Sequence, residues 1–122
     1  MWANFDWPND LNLAEAFKKE LGRPVYVDND VNVIPLGESW VGSAKGYKNV
    51  LGMAIGTGIG AGVVVDGNVI SGKNGAAGEI GHITLEKNGR LCGCGKRGCF
   101  EAYASATGIS RLAADRLVVN NN

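Results

Sequence analysis

All three cysteines of this chain fall between positions 92 and 99, as Cys92-Gly93-Cys94 and then, after four more residues, Cys99. An odd count, with two thiols separated by a single glycine, makes a poor disulfide framework. Such a cluster is either a tight loop of reduced cysteines or a metal site. His82, the only histidine, precedes it with nine residues between it and Cys92. One imidazole and three thiolates are a ligand set for tetrahedral Zn²⁺, and four protein ligands leave no open position, so the metal would be structural. Gly93, Gly95 and Gly98 permit the sharp reversals that turn closely spaced ligands inward. Spacing alone leaves two readings, a zinc loop over 82–99 or reduced cysteines with His82 unrelated to them.

The rest of the composition narrows the class. A chain of 122 residues with 45% apolar and 20% charged side chains suits one globular domain rather than a disordered segment. Twelve basic residues balance twelve acidic ones. That balance argues against general affinity for nucleic acid or for an anionic membrane surface. No apolar run has the length of a membrane span, and the start of the chain lacks the pattern of a secretory signal, so the expected location is cytoplasmic.

The periodicity predicts an α/β order. A helix over 11–21, capped by Asp10, carries Leu13, Ala16, Phe17 and Leu21 on its apolar face and stops at Gly22. Val25-Tyr26-Val27 reads as a short strand. A second helix runs through Leu36 to about Val41, with Pro35 in its first turn and an irregular turn over 30–34. Residues 49–55 read as a strand buried on both faces, because few of their side chains are polar. A glycine loop over 56–62 follows, then a hairpin about Asp66-Gly67 with a type I′ turn. Ile83-Thr84-Leu85 is a further strand candidate. Past the cysteines, 100–105 reads as helical, and Thr107 is placed to cap a helix over 109–117 with Ile109, Leu112, Ala113 and Leu117 as its stripe. Asn120-Asn121-Asn122 reads as a frayed tail.

Two stretches carry candidate chemistry. Gly56-Thr57-Gly58-Ile59-Gly60-Ala61 satisfies a dinucleotide fingerprint formally, but strands rather than a helix follow it, so that reading fails. A glycine turn between strands still suits phosphate, since its N–H groups point inward without side chains in the way. A bare strand connection is the alternative. Asp28 and Asp30 follow a strand candidate, where either can serve as a general base or simply cap the next helix. Glu79 lies among Gly78, Ile80 and Gly81, where a charge has few structural duties beyond a solvated loop tip. Glu101, two residues past Cys99, reads alone as a first-turn glutamate. Together Glu79, His82 and Glu101 suit the hydroxyls of a polyol.

The blocks Asn29-Asp30-Val31-Asn32, the 56–62 loop continuing to Gly78-Glu79-Ile80-Gly81-His82, and Cys92-Gly93-Cys94-Gly95-Lys96-Arg97-Gly98-Cys99-Phe100-Glu101 together resemble the ROK family of repressors, open reading frames and sugar kinases. The likeness spans about residues 25–113. It implies an actin-like ATPase (ribonuclease H-like) fold, present here in part, with sugar and nucleotide meeting between two lobes. It implies Asp30 as catalytic base, Asn29, Glu79, His82 and Glu101 as sugar contacts, and His82, Cys92, Cys94 and Cys99 as zinc ligands. Gly56, Thr57, Gly58 and Gly60 match the family's phosphate-binding turn. The implied reaction is phosphoryl transfer from Mg²⁺-ATP to a hexose, with glucose the first candidate.

The pattern also departs from that family. The Asp-x-Gly-Gly-Thr phosphate loop expected early in the N-terminal lobe is not in the sequence, and no portion to enclose adenine follows Leu117. The chain therefore reads as one partial domain over 1–122, a central fragment that exposes apolar surface and so favours homo-oligomers. Val33-Ile34-Pro35 stands where the family has small helix formers. Two other functions stay in view, the sugar-sensing part of a ROK repressor and a zinc-stabilised interaction module without a ligand.

Overall fold

A computed structural model describes Pro8 and residues 10–120. Met1 to Trp7, Asn9 and Asn121-Asn122, the end of the expected tail, lie outside the described residues. The element order is helix, helix, three strands, a 3₁₀ turn and two helices.

Helix α1 spans Leu13–Leu21, and its cap is Asn12 rather than Asp10. The Asn12 side chain accepts the Glu15 N–H at 3.1 Å, the third N–H of the helix, which Asp10 stands too early to reach. Gly22, at φ +62°, closes the helix as expected, its N–H donating to the Lys18 carbonyl. Val25-Tyr26-Val27 forms no strand among the described residues. The Tyr26 side chain is 94% exposed.

Helix α2 spans Asp30–Val41 without the expected irregular turn, and Pro35 lies inside it. The reason is in the sheet beneath. Strands β1 (Val50–Ile55), β2 (Ile59–Val65) and β3 (Asn68–Val69) form an antiparallel sheet in that order, with Gly52 opposite Gly62 in the β1–β2 register. A Cβ on Gly62 would come within 1.9 Å of the Val31 carbonyl oxygen and 2.6 Å of the Pro35 ring, and one on Gly60 within 2.8 Å of a Val31 methyl. Proline at 35 removes the N–H that would have met the Val31 carbonyl. The glycine stripe gives that carbonyl and the proline ring room to sit against the sheet. Gly62→Ala is therefore expected to destabilise the fold by about 2–3 kcal/mol, read as a lower urea midpoint at an unchanged slope.

The strand over 49–55 is not buried on both faces. Leu51, Met53 and Ile55 are exposed, while Val50, Gly52 and Ala54 alternate with them on the covered side. Helix α2 covers the face of Gly52, Gly60 and Gly62, while on the other face Ile59 and Ala61 of β2 are buried and the β1 side chains stay open. The expected glycine loop is shorter as well, because 56–58 makes the turn and Ile59 onward is already β2. The Asp66-Gly67 hairpin is as expected, with φ of +50° and +79°.

The second glycine-rich segment packs along β2. Ala61 N–H donates to the Gly78 carbonyl at 2.8 Å. Added Cβ atoms on Gly78 and Gly81 would meet backbone carbonyls at 1.7 and 2.1 Å. That contact sets the 3₁₀ turn Ile80–His82. The strand expected at 83–85 reduces to a single bridge between Thr84 and Cys99. Helices α3 (Glu101–Ala104) and α4 (Ala106–Asn120) follow, split at Ser105. The buried Ser105 hydroxyl, not Thr107, caps α4, accepting the Gly108 N–H at 3.0 Å. Ile109, Ala113 and Leu117 of the expected stripe are exposed. Among the described residues the buried apolar side chains are Pro35, Ile59, Ala61, Val64, Cys92 and Cys99, so the core lies about β2, between α2 and the cysteine loop.

Candidate functional site

One open cleft of about 360 Å³ gathers the ends of four segments. The N-terminus of α2 brings Asn29 and Asp30, and the β1–β2 turn brings Gly56, Thr57, Gly58 and Gly60. The 3₁₀ turn and its entry bring His82 and Glu79, and the start of α3 brings Glu101. Each is placed by local chemistry. Asn29 caps α2 through the Val31 N–H at 3.0 Å, which sets Asp30 at the first helical position. Gly56 N–H donates to the Gly58 carbonyl at 2.9 Å and closes the turn. The Gly56 carbonyl accepts the Ala106 N–H at 2.9 Å, tying the start of α4 to the same turn. Asp28 lies outside this cleft. Its carboxylate accepts the Asn29 N–H at 2.7 Å and the Asn32 side-chain amide at 2.9 Å, a structural duty.

His82 stands between two groups of partners. Its Nδ1 is 3.7 Å from Cys92 Sγ and 3.6 Å from Glu101 Oε1, and its Nε2 is 3.7 Å from Glu79 Oε2. Glu101 is a first-turn residue of α3, yet its carboxylate is turned into the site, accepting from the Cys92 thiol at 3.0 Å and from the Ile59 N–H at 3.4 Å.

The donor atoms of His82, Cys92, Cys94 and Cys99 all lie within 4.8 Å of one another. Cys94 Sγ and Cys99 Sγ are 3.7 Å apart, and all three thiols are free. Bond lengths of about 2.3 Å to sulfur and 2.0–2.1 Å to nitrogen give tetrahedral edges of about 3.8 Å (S–S) and 3.6 Å (S–N). The Cys94–Cys99 and Cys92–His82 distances, both 3.7 Å, match such edges, so the cluster is consistent with a zinc ion. Burial, the largest cause, pushes the Cys92 thiol up to about 12, and the Glu101 carboxylate adds to it. The exposed Cys94 is lowered instead, chiefly by the Lys96 N–H. A dication supplies the charge that a buried thiolate lacks.

Two features of the site had no sequence signal. A second cleft of about 260 Å³ lies behind the 56–58 turn, walled in part by Leu91, Thr107 and Arg111. A hydrogen-bonded set, Glu86, Arg90, Tyr103 and Asp115, holds the cysteine loop to α3 and α4.

Comparison with known proteins follows the same residues. The sequence matches the ROK family over residues 1–119. The chain belongs to the ROK family. It is 50% identical over 113 residues to the glucokinase of Halalkalibacterium halodurans, covering 92% of this chain and 34% of that one. It is 39% identical over 102 residues to the xylose repressor of Bacillus subtilis, covering 84% and 26%. The ROK hexokinase of Thermus thermophilus superimposes with a TM-score of 0.77 at 40% identity, over 85% of this chain and 35% of that one. The ROK glucokinase of Streptomyces griseus, solved with glucose and AMPPNP, gives 0.75 at 37% identity, over 95% and 37%. The chain thus spans about a third of the length of the glucokinases it matches. Its α/β architecture is that of the ROK sugar kinases, an actin-like ATPase fold. Among the described residues no helix is long and apolar enough to cross a membrane.

Proposed function

We propose that this segment is the central part of a cytoplasmic, homo-oligomeric ROK sugar kinase. Residues 1–122 form one partial domain that transfers phosphoryl from Mg²⁺-ATP to a hexose hydroxyl, with glucose the first candidate. The observation that carries this reading is that Asp30 and the 56–58 turn line one cleft with Asn29, Glu79, His82 and Glu101. A base and a phosphate cradle in one cleft, together with hydrogen-bonding groups, suit attack by a bound hydroxyl on a terminal phosphate. Asp30 takes the hydroxyl proton. Asn29, Glu79, His82 and Glu101 hold the sugar hydroxyls, and the glycine-rich turn with Thr57 and Gly60 offers backbone N–H groups to the phosphates.

His82, Cys92, Cys94 and Cys99 would hold a structural Zn²⁺ in the loop 82–99, where its charge balances the thiolates and fixes the strand that leads into Glu101. The equilibrium role of Glu79 is open to test. Glu79→Gln keeps its size and removes a charged acceptor, so hexose binding is expected to weaken roughly ten- to hundredfold by calorimetry, with zinc content unchanged.

The likeness to the xylose repressor supports a second reading, in which the same cleft senses a sugar without phosphorylating it. ADP release with a panel of hexoses, measured in the protein that carries this segment, separates the two. Turnover with one sugar supports the kinase. Binding by calorimetry without turnover supports the sensor, and neither would sink both readings.

A further inference from the structure

We infer that Tyr103, with Glu86 as its partner, is a positioning residue that holds the cysteine loop in its metal-ligating shape. The inference rests on the zinc reading above. The loop is a narrow antiparallel fold, bridged at Thr84–Cys99 and Leu91–Arg97 and closed by a tight turn in which Cys92 N–H donates to the Lys96 carbonyl at 2.9 Å. Its outer arm, 86–91, holds almost no apolar side chain to anchor it, and Asn88 in its turn adopts φ +61°.

Backbone bonds to Gly98 and the Arg97 guanidinium on the Gly89 carbonyl hold this arm to the rest of the loop, and one phenol ties it to α3. Tyr103 Oη donates to Glu86 Oε2 at 2.5 Å and accepts the Arg90 N–H at 2.8 Å, so it spans both ends of the turn. Arg90 is fixed again from α4, its guanidinium 2.6 Å from the Asp115 carboxylate. The consequence for the ligands runs through the backbone. The Arg90 carbonyl accepts the Gly98 N–H at 2.8 Å, next to Cys99, and Leu91 alone separates Arg90 from Cys92. The arm is also packed too closely to shift. A Cβ on Gly89 would overlap the Tyr103 oxygen at 2.1 Å, and one on Gly98 would overlap the Glu86 carbonyl at 1.6 Å. Tyr103 follows Glu101 on α3, so one short helix carries both a cleft carboxylate and the group that sets the metal loop.

Hydrogen-bonding partners beyond the ligands orient a metal site, and their loss typically costs ten- to hundredfold in metal affinity. Tyr103→Phe removes both bonds and little volume. It is expected to weaken zinc binding roughly tenfold in competition with a chromophoric chelator. It is also expected to alter the visible bands of the cobalt-loaded protein, which report ligand geometry. Glu86→Gln keeps an acceptor for the phenol and should fall between wild type and Tyr103→Phe. Gly52→Ala crowds Pro35 on the far side of the sheet, at 2.9 Å. As a control it lowers affinity only through folding and leaves the cobalt bands at saturation unchanged. Wild-type bands and affinity in Tyr103→Phe would overturn the inference. So would an affinity loss with wild-type bands, as in the Gly52→Ala control. If Tyr103→Phe does not fold, Glu86→Gln carries the same two readouts. A wild-type chain that takes up neither zinc nor cobalt would instead sink the zinc reading itself.

Discussion

Stripping the proposed zinc from the protein with a strong chelator is expected to melt residues 82–120 while leaving the α2–hairpin unit the most protected part of the chain. The size of the effect follows from how little else holds that half. Of the six buried apolar side chains among the described residues, two are Cys92 and Cys99 themselves, three belong to β2 and one is Pro35 of α2. Neither α3 nor α4 contributes an apolar side chain to that buried set. Structural zinc in small domains contributes about 10–16 kcal/mol in apparent terms at neutral pH, as much as the whole stability of an ordinary domain at about 5–15 kcal/mol. Hydrogen exchange and circular dichroism on the chelated chain should therefore show α3 and α4 opening. Equimolar Zn²⁺, but not Mg²⁺, should restore them. A chain whose zinc content has been removed and whose exchange pattern is unchanged would contradict the structural role of the metal.

Asp30→Asn is expected to lower phosphoryl-transfer turnover by about 10²–10⁴ while hexose affinity stays near wild type. On the free-energy scale that is about 3–5 kcal/mol of transition-state stabilisation lost without a matching loss of ground-state binding. The substitution is conservative where it needs to be. Asp30 Oδ1 accepts the Val31 N–H at 2.9 Å, which an asparagine oxygen can also do, and Asn29 keeps its own capping bond. The helix start should survive, and only the proton acceptor is lost. Steady-state kinetics with calorimetry of the sugar checks both halves. Equal turnover in the two proteins would remove Asp30 from the base role, and a parallel loss of sugar binding would make it a binding group instead.

Local chemistry was legible in the sequence wherever a residue's partners lie close along the chain. The Asp66-Gly67 turn and the Gly22 stop needed only their neighbours, and both are where periodicity and turn chemistry put them. The misread positions depend on distant partners. Pro35 reads as a helix breaker because the glycines that accommodate it are in another element. An apolar run such as 50–55 reads as doubly buried because nothing in it tells how many layers cover the sheet. Ser105 and Thr107 are equally good caps on paper, and burial of the hydroxyl decides between them. The candidate site shows the same division. Its carboxylates and ligands stand in motifs, whereas Glu86, Arg90 and Tyr103 are ordinary residues until the loop folds back on α3.

The contiguity of α2, β1 and β2 along the chain has a consequence for the order of assembly. Helix and hairpin span Asp30 to Val65 and contact one another directly, so they close through short loops and can form as soon as that stretch has left the ribosome. The cysteine ligands are synthesised only after both walls of the glycine turn exist. If the loop holds zinc as proposed, capture of the metal follows the hairpin rather than nucleating it. On that reading a cell short of zinc would accumulate chains with a finished hairpin and an open cysteine loop, a species that proteases and chaperones recognise by its unsatisfied apolar surface.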